Sequence, residues 1–258
     1  MDDLKITGSD FCEVCGMPRI RSMEVLGTVQ TFRVRCACES AEWEAFVAKM
    51  KAEEHQRDIE RNRSVGFSER RLREYTFKAD DGGNPKLMSM CRNYAENFAD
   101  FRRDGKGLLI YGTVGNGKTF MAAAIANKLI DDGYRVLMTS MTRIVNQIWS
   151  DQNKNEYLDS LKNYDLLIID DFGVERETDF MSEKVFEIID ARYRQELPLI
   201  VTSNLTDEEL RMPGDLKKQR VYSRIFEMCL PFKVSGADRR KAAIGKETSY
   251  YMSMLKGD

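Results

Sequence analysis

Short apolar runs bounded by turn residues recur at positions 108–111, 136–139, 166–169, 199–202 and 230–234, with helical periodicity between them. Runs of this length read as strands buried on both faces, and strands alternating with helices call for a parallel sheet. The pattern predicts an α/β fold, a five-stranded parallel sheet flanked by helices. Helices are expected over 119–132, 142–153 and 182–195, the last with Val185, Phe186, Ile188, Ile189 and Tyr193 as a broad apolar face.

Upstream the pattern changes. Residues 40–74 are dense in Glu, Lys and Arg, contain neither Gly nor Pro before Gly66, and place Trp43, Phe46, Val47 and Met50 at helical spacing. They predict a solvated linker helix, closed by the turn chemistry of residues 79–85. The expected organisation is a cysteine-rich module over 1–40, a charged linker helix over 41–78 and the α/β domain over 79–258. His55, the single histidine, falls in the linker and is expected to be solvated.

Composition excludes several classes. Charged residues make up 32% of the 258, yet the net charge is −2, so no global basic field draws the chain onto nucleic acid or anionic lipid. Any DNA contact must be local. The acidic start lacks the apolar run of a signal peptide, and no stretch approaches the roughly 18 apolar residues of a membrane span. A cytoplasmic protein with no membrane partner is expected.

In that reducing compartment the six cysteines are not expected to form disulfides. Cys12 and Cys15 form one close pair and Cys36 and Cys38 another, enough for four thiolate ligands around a tetrahedral Zn²⁺. The segment has few large apolar residues, so the metal would supply much of its folding energy. Packed, reduced cysteines are the plain alternative. Cys91 and Cys229 stand alone and read as core residues.

Chemistry concentrates after the first strand. Gly112, Thr113, Val114, Gly115, Asn116, Gly117, Lys118 and Thr119 form a glycine-rich loop that opens a helix at Thr119 and Phe120. This is the context a P-loop requires, because backbone N–H groups and the helix dipole then converge on phosphates. Lys118 would reach the β- and γ-phosphates of ATP and Thr119 would ligate Mg²⁺. The third strand ends in Asp170 and Asp171: the first would hold Mg²⁺, commonly through water, and the second could act as general base. A surface turn carrying two solvated aspartates is the bland alternative.

The stretch KNYDLLIIDDFGVE, the strand ending Thr202-Ser203-Asn204 and the tract QRVYSRIFE resemble motifs of the DnaC/IstB-like family of AAA+ ATPases, the bacterial and phage helicase loaders and transposition helpers. The resemblance spans roughly residues 70–248 and implies an AAA+ P-loop core that hydrolyses ATP. It implies that Asn204 is the sensor 1 residue, Arg224 an arginine finger and Arg240 the sensor 2 arginine. Two departures stand out. Asp171 occupies a position where many AAA+ proteins carry Glu, and the family's Gly-x-Ser-x-Arg is here Gly236-Ala-Asp-Arg-Arg240, so Arg239 competes with Arg240, which register favours.

Three functions follow. A replicative helicase loader would grip a DnaB-type helicase through its amino-terminal module and hold single-stranded DNA through a self-associated core. A transposition helper would act on duplex DNA and a transposase. A zinc-bearing adaptor would use nucleotide only as an occupancy switch. The cysteine module and near-neutral charge favour the loader, since wrapping duplex DNA needs a large basic surface. The Arg70, Arg71 and Arg73 cluster is a local nucleic-acid contact or a solvated face, and Tyr75 and Phe77 either cover adenine or anchor the core.

Overall fold

The computed structural model describes residues 10–25, 27–150, 154–174, 178–236 and 238, together with 252, 254 and 255. The chain divides into two compact units, Met1–Asp58 and Ile59–Asp258.

In the first unit, strands β1 (Ile20–Val25) and β2 (Thr28–Arg33) pair as an antiparallel hairpin, and helix α1 (Ala37–Val65) starts four residues later. Most of the hairpin is exposed. Among the described residues of this unit only Cys12 and Cys36 are buried, so they supply little apolar core to hold it together.

The second unit begins within α1. That helix stops at Val65 rather than running to residue 74, and Gly66 follows it in a spot where a Cβ would lie 2.6 Å from the Val136 carbonyl oxygen. The chain instead runs beside the sheet, with Phe67 bridging to Met138 and the Met138 N–H donating to the Gly66 carbonyl at 2.7 Å. Two 3-10 turns follow, Arg70–Glu74 and Phe77–Ala79, then helices α2 (Pro85–Glu96) and α3 (Phe98–Arg103).

The remaining elements alternate: β3 (Gly107–Tyr111), α4 (Lys118–Asp131), β4 (Val136–Ser140), α5 (Met141–Ser150), α6 (Lys154–Leu161), β5 (Leu166–Phe172), α7 (Asp179–Arg194), β6 (Leu199–Ser203), α8 (Asp207–Arg211), α9 (Leu216–Met228) and β7 (Cys229–Lys233). The five strands are parallel in the order β4-β5-β6-β3-β7. All five were legible as apolar runs; the order was not.

Alternation along each strand divides the core between the two faces of the sheet. Leu108, Ile110, Val136, Met138, Leu166, Ile168 and Ile200 pack with α2 and α4 on one side. Leu109, Tyr111, Leu167, Ile169, Leu199 and Val201 pack with α5, α7 and α9 on the other. The run of alanines at 122–124 keeps the buried side of α4 thin, which brings the P-loop helix close against the sheet. Expected helices 119–132 and 182–195 match α4 and α7 within three residues; α5 ends at Ser150, and 151–153 lie outside the described residues.

Candidate nucleotide site and cysteine cluster

The loop from β3 to α4 turns on glycines. Gly112 has φ 142°, and a Cβ there would meet the Val234 carbonyl oxygen at 2.0 Å, so only glycine lets the loop leave the sheet at that point. Gly117, with φ 89°, caps α4. Lys118 is buried and donates to the carbonyls of Gly112 at 2.9 Å and Thr113 at 2.8 Å, closing the loop with a cation inside it. Asn116 donates to Thr113 Oγ1 at 2.6 Å and to the Val234 carbonyl at 3.2 Å, while its own buried Oδ1 has no partner. A glycine cradle and a buried ammonium suit a phosphate chain. Val114 is exposed on the loop, and Phe120 packs its ring 5.2 Å from Tyr75.

The two carboxylates arrive by an irregularity. Ile169 pairs with Val201 and Phe172 with Ser203, so Asp170 and Asp171 together oppose Thr202, and Asp171 takes φ 53°. Successive strand residues ordinarily point to opposite faces; the bulge re-aims the second carboxylate. Thr119 donates to Asp170 Oδ1 at 3.0 Å and Thr202 donates to the same oxygen at 2.5 Å, while the Asp171 N–H donates to Thr202 Oγ1 at 2.9 Å. Asn204 donates to Asp171 Oδ1 at 3.3 Å.

Burial raises the pKa of Asp170 above its ordinary range, the Thr202 and Thr119 hydroxyls pull against that shift, and the charge of Asp171 adds to it. A carboxylate held there with no cation partner among the described residues and a threonine hydroxyl on it is a donor set suited to Mg²⁺.

The structure thus brings Gly112, Lys118, Thr119, Asp170, Asp171 and Asn204 together, and adds Thr202. The sequence signal for that residue was a hydroxyl inside an apolar strand run. Arg224 lies elsewhere. It sits on α9 and donates from Nε to Asp190 Oδ1 of α7 at 2.7 Å. Arg239 and Arg240 lie outside the described residues. Tyr75 and Phe77 are half-buried against the core, with the carbonyls of Leu72 and Tyr75 accepting from buried Asn127 of α4 at 2.9 Å. Arg71 lies over the Tyr75 ring and Arg73 donates to the Ser64 carbonyl, so two of the clustered arginines have local structural partners. His55 is exposed.

In the first unit the sulfurs of Cys12, Cys15, Cys36 and Cys38 all lie within 4.8 Å of one another. Cys12 to Cys38 is 3.9 Å and Cys36 to Cys38 is 3.7 Å. Four thiolates at about 2.3 Å from a tetrahedral Zn²⁺ stand about 3.8 Å apart, so the cluster has the right dimensions. Backbone N–H groups of Cys15 and Val14 hold the Cys12 thiol down to about 6, whereas the Cys15 side chain and burial push Cys38 up to about 12. Sulfurs this close cannot all ionise without a cation between them. Arg19 lies 3.6 Å from Cys12 Sγ and pairs with Glu39 at 3.0 Å, bracing the cluster against the start of α1.

A parallel sheet with a P-loop after β3 and paired carboxylates at the end of β5 is the architecture of the AAA+ P-loop proteins. The profile of the IstB-like ATP binding proteins matches residues 29–240. The chain belongs to that family.

Among its relatives, the replicative helicase loader DnaI of Bacillus subtilis (strain 168) is 29% identical over 180 residues, covering 64% of this chain and 58% of DnaI. The replicative helicase loader DnaC of Escherichia coli (strain K12) is 29% identical over 156 residues, covering 58% of this chain and 60% of DnaC. The match thus spans about three fifths of these curated relatives. The crystal structure of the DnaC helicase loader superposes with TM-score 0.57 over 65% of this chain and 100% of that one, at 24% identity, a likeness of fold. The replication initiator DnaA bound to AMPPCP and single-stranded DNA superposes with TM-score 0.52 at 25% identity, covering 68% of this chain and 54% of DnaA. No helix among the described residues is long and apolar enough to cross a membrane.

Proposed function

We propose that this protein is an ATP-dependent loader of a DnaB-type replicative helicase, working in the cytoplasm. The reading is supported by one contact, the Thr119 hydroxyl on Asp170 at 3.0 Å, which joins the P-loop to the β5 carboxylates, taken with relatives named as replicative helicase loaders. In this reading Lys118 exchanges the Gly112 and Thr113 carbonyls for the β- and γ-phosphates of ATP. Thr119 and Asp170 hold Mg²⁺, which supplies charge to offset that building on the transferring phosphoryl group. Asp171 takes the proton of the attacking water and Asn204 orients it. Arg224 acts on the nucleotide of a neighbouring copy, with Arg240 completing the site from its own chain.

The amino-terminal forty residues form a zinc module that grips the helicase, residues 41–78 link it to the core, and residues 79–258 form the ATPase domain that self-associates and holds single-stranded DNA. The family profile carries the name of IstB-like proteins, which keeps a second reading open, a transposition helper acting on duplex DNA and a transposase.

The experiment is a loading assay. Closed circular single-stranded DNA, the host's replicative helicase and this protein are combined with ATP, and helicase retained on the circles is measured. Retention is expected only with both protein and ATP, and is expected to disappear with Lys118→Ala. Binding to duplex and transposase with no effect on helicase retention supports the second reading. Retention that needs ATP but is unaffected by Asp171→Asn supports a nucleotide-occupancy adaptor.

A further inference from the structure

Three charged side chains are buried among the described residues: Lys118, Asp190 and Arg192. Lys118 belongs to the P-loop. Arg192 hydrogen-bonds the carbonyls of Leu161, Tyr164 and Pro198, tying together the ends of α6, β5 and β6. Asp190 links α7 to α9: its Oδ1 accepts from Arg224 Nε at 2.7 Å, and its Oδ2 forms an ion pair with Arg194 Nε at 2.7 Å.

As a stabilising device this is a poor arrangement. Burying a carboxylate carries a desolvation penalty, and partly exposed ion pairs return roughly 0–1 kcal/mol. What the arrangement does achieve is geometric. Arg224 Nη1 donates to the Arg220 carbonyl at 3.1 Å, and the guanidinium lies 4.7 Å from the Phe186 ring centroid and 5.6 Å from that of Tyr193. Tyr193 is itself held by Glu227 at 2.6 Å. Nε and Nη1, on opposite sides of the guanidinium, are therefore held, and Nη2 has no partner among the described residues.

Charge decides what the free Nη2 can do. Two arginines share one carboxylate, so the Asp190, Arg194 and Arg224 trio carries a net charge of +1, with Glu227 balancing it from beyond the Tyr193 hydroxyl, and the attraction for phosphate is local to the guanidinium. Arg220, one turn earlier, is exposed and its side chain has no polar partner among the described residues, so it would lose its full rotamer freedom on binding. Arg224 has already lost it.

We propose that Asp190 is the positioning residue of Arg224, holding its guanidinium so that the unpartnered Nη2 can meet the γ-phosphate on an adjacent copy of this chain. The inference rests on the reading of Arg224 as a trans-acting finger. Asp190 touches no reacting atom; it acts through Arg224, with the Phe186 and Tyr193 rings as walls.

The test is complementation in trans. Arg224→Ala and Lys118→Ala are each expected to be inactive alone and to regain turnover when mixed, because one interface then pairs an intact loop with an intact finger. Asp190→Asn is expected to lose about 10²-fold in turnover, the scale of a misplaced catalytic group, with ATP affinity per subunit within about twofold. It should recover on mixing with Lys118→Ala, should be partly rescued by Asp190→Glu, and should add nothing to Arg224→Ala in the double variant. Tyr193→Leu, which loosens the cradle without touching the ion pair, should give a smaller loss with the same recovery; this variant carries the test if Asp190→Asn does not fold. If Arg224→Ala is complemented but Asp190→Asn and Tyr193→Leu turn over at the parent rate, or Asp190→Asn slows the Arg224→Ala variant further, the positioning role is overturned. If co-assembled Arg224→Ala and Lys118→Ala subunits stay inactive, the trans-acting finger itself is wrong and the positioning role falls with it.

Discussion

The Thr202 hydroxyl donates to Asp170 Oδ1 at 2.5 Å while accepting the Asp171 N–H at 2.9 Å, so one side chain fixes both members of the carboxylate pair. Thr202→Val keeps the shape and removes both bonds. The orphaned Asp171 N–H should lower stability by about 1–3 kcal/mol. ATP turnover should fall about 10- to 100-fold, the usual effect of losing a partner behind a metal ligand, with binding retained. Thr202→Ser should keep most of both. Steady-state hydrolysis and thermal melts of the three proteins check this.

The raised pKa of Asp170 has a sign that can be tested. Between the ordinary carboxylate range and the raised folded value, the folded state binds more protons than the unfolded state. Stability of the metal-free protein should therefore decrease as pH rises through that window, and be greatest below it. Asp170→Asn keeps the hydroxyl contacts without the buried charge. It should raise the stability of the metal-free protein at neutral pH by about 1 kcal/mol and remove Mg²⁺-dependent hydrolysis. Melting curves against pH, without Mg²⁺ or nucleotide, would count against the charge argument if the variant melted lower.

The cysteine cluster should bind one zinc ion per chain. Cys12→Ser combined with Cys15→Ser should abolish it, because hydroxyl groups replace thiolates in a unit with almost no apolar core. ATP binding by the second unit should persist. Metal analysis by atomic emission, paired with a nucleotide titration, separates the two effects.

Arg192 is 2% exposed, and burial lowers its pKa to about 10. Arg192→Leu would leave the carbonyls of Leu161, Tyr164 and Pro198 without their donor. A loss of about 3 kcal/mol is expected, since each orphaned buried acceptor costs about 1–3 kcal/mol and the structure relaxes in part. Chemical denaturation should show a lower midpoint with little change in slope.

The sequence by itself determined the five strands, the phosphate loop, the carboxylates at 170 and 171, and the two cysteine pairs. Each of these is a local pattern: a run of apolar residues, a spacing of glycines, two thiols a few residues apart. Tertiary structure decided what no local pattern encodes. Periodicity says which face of a strand is buried and nothing about its neighbour, so the insertion of β6 between β3 and β5, which carries Thr202 to Asp170, could not be read along the chain. The need for glycine at 66 was set in the same way, by the Val136 carbonyl 70 positions onward. So was the setting of Arg224, whose carboxylate partner and aromatic walls come from α7, a separate helix that meets it only when both pack on one face of the sheet.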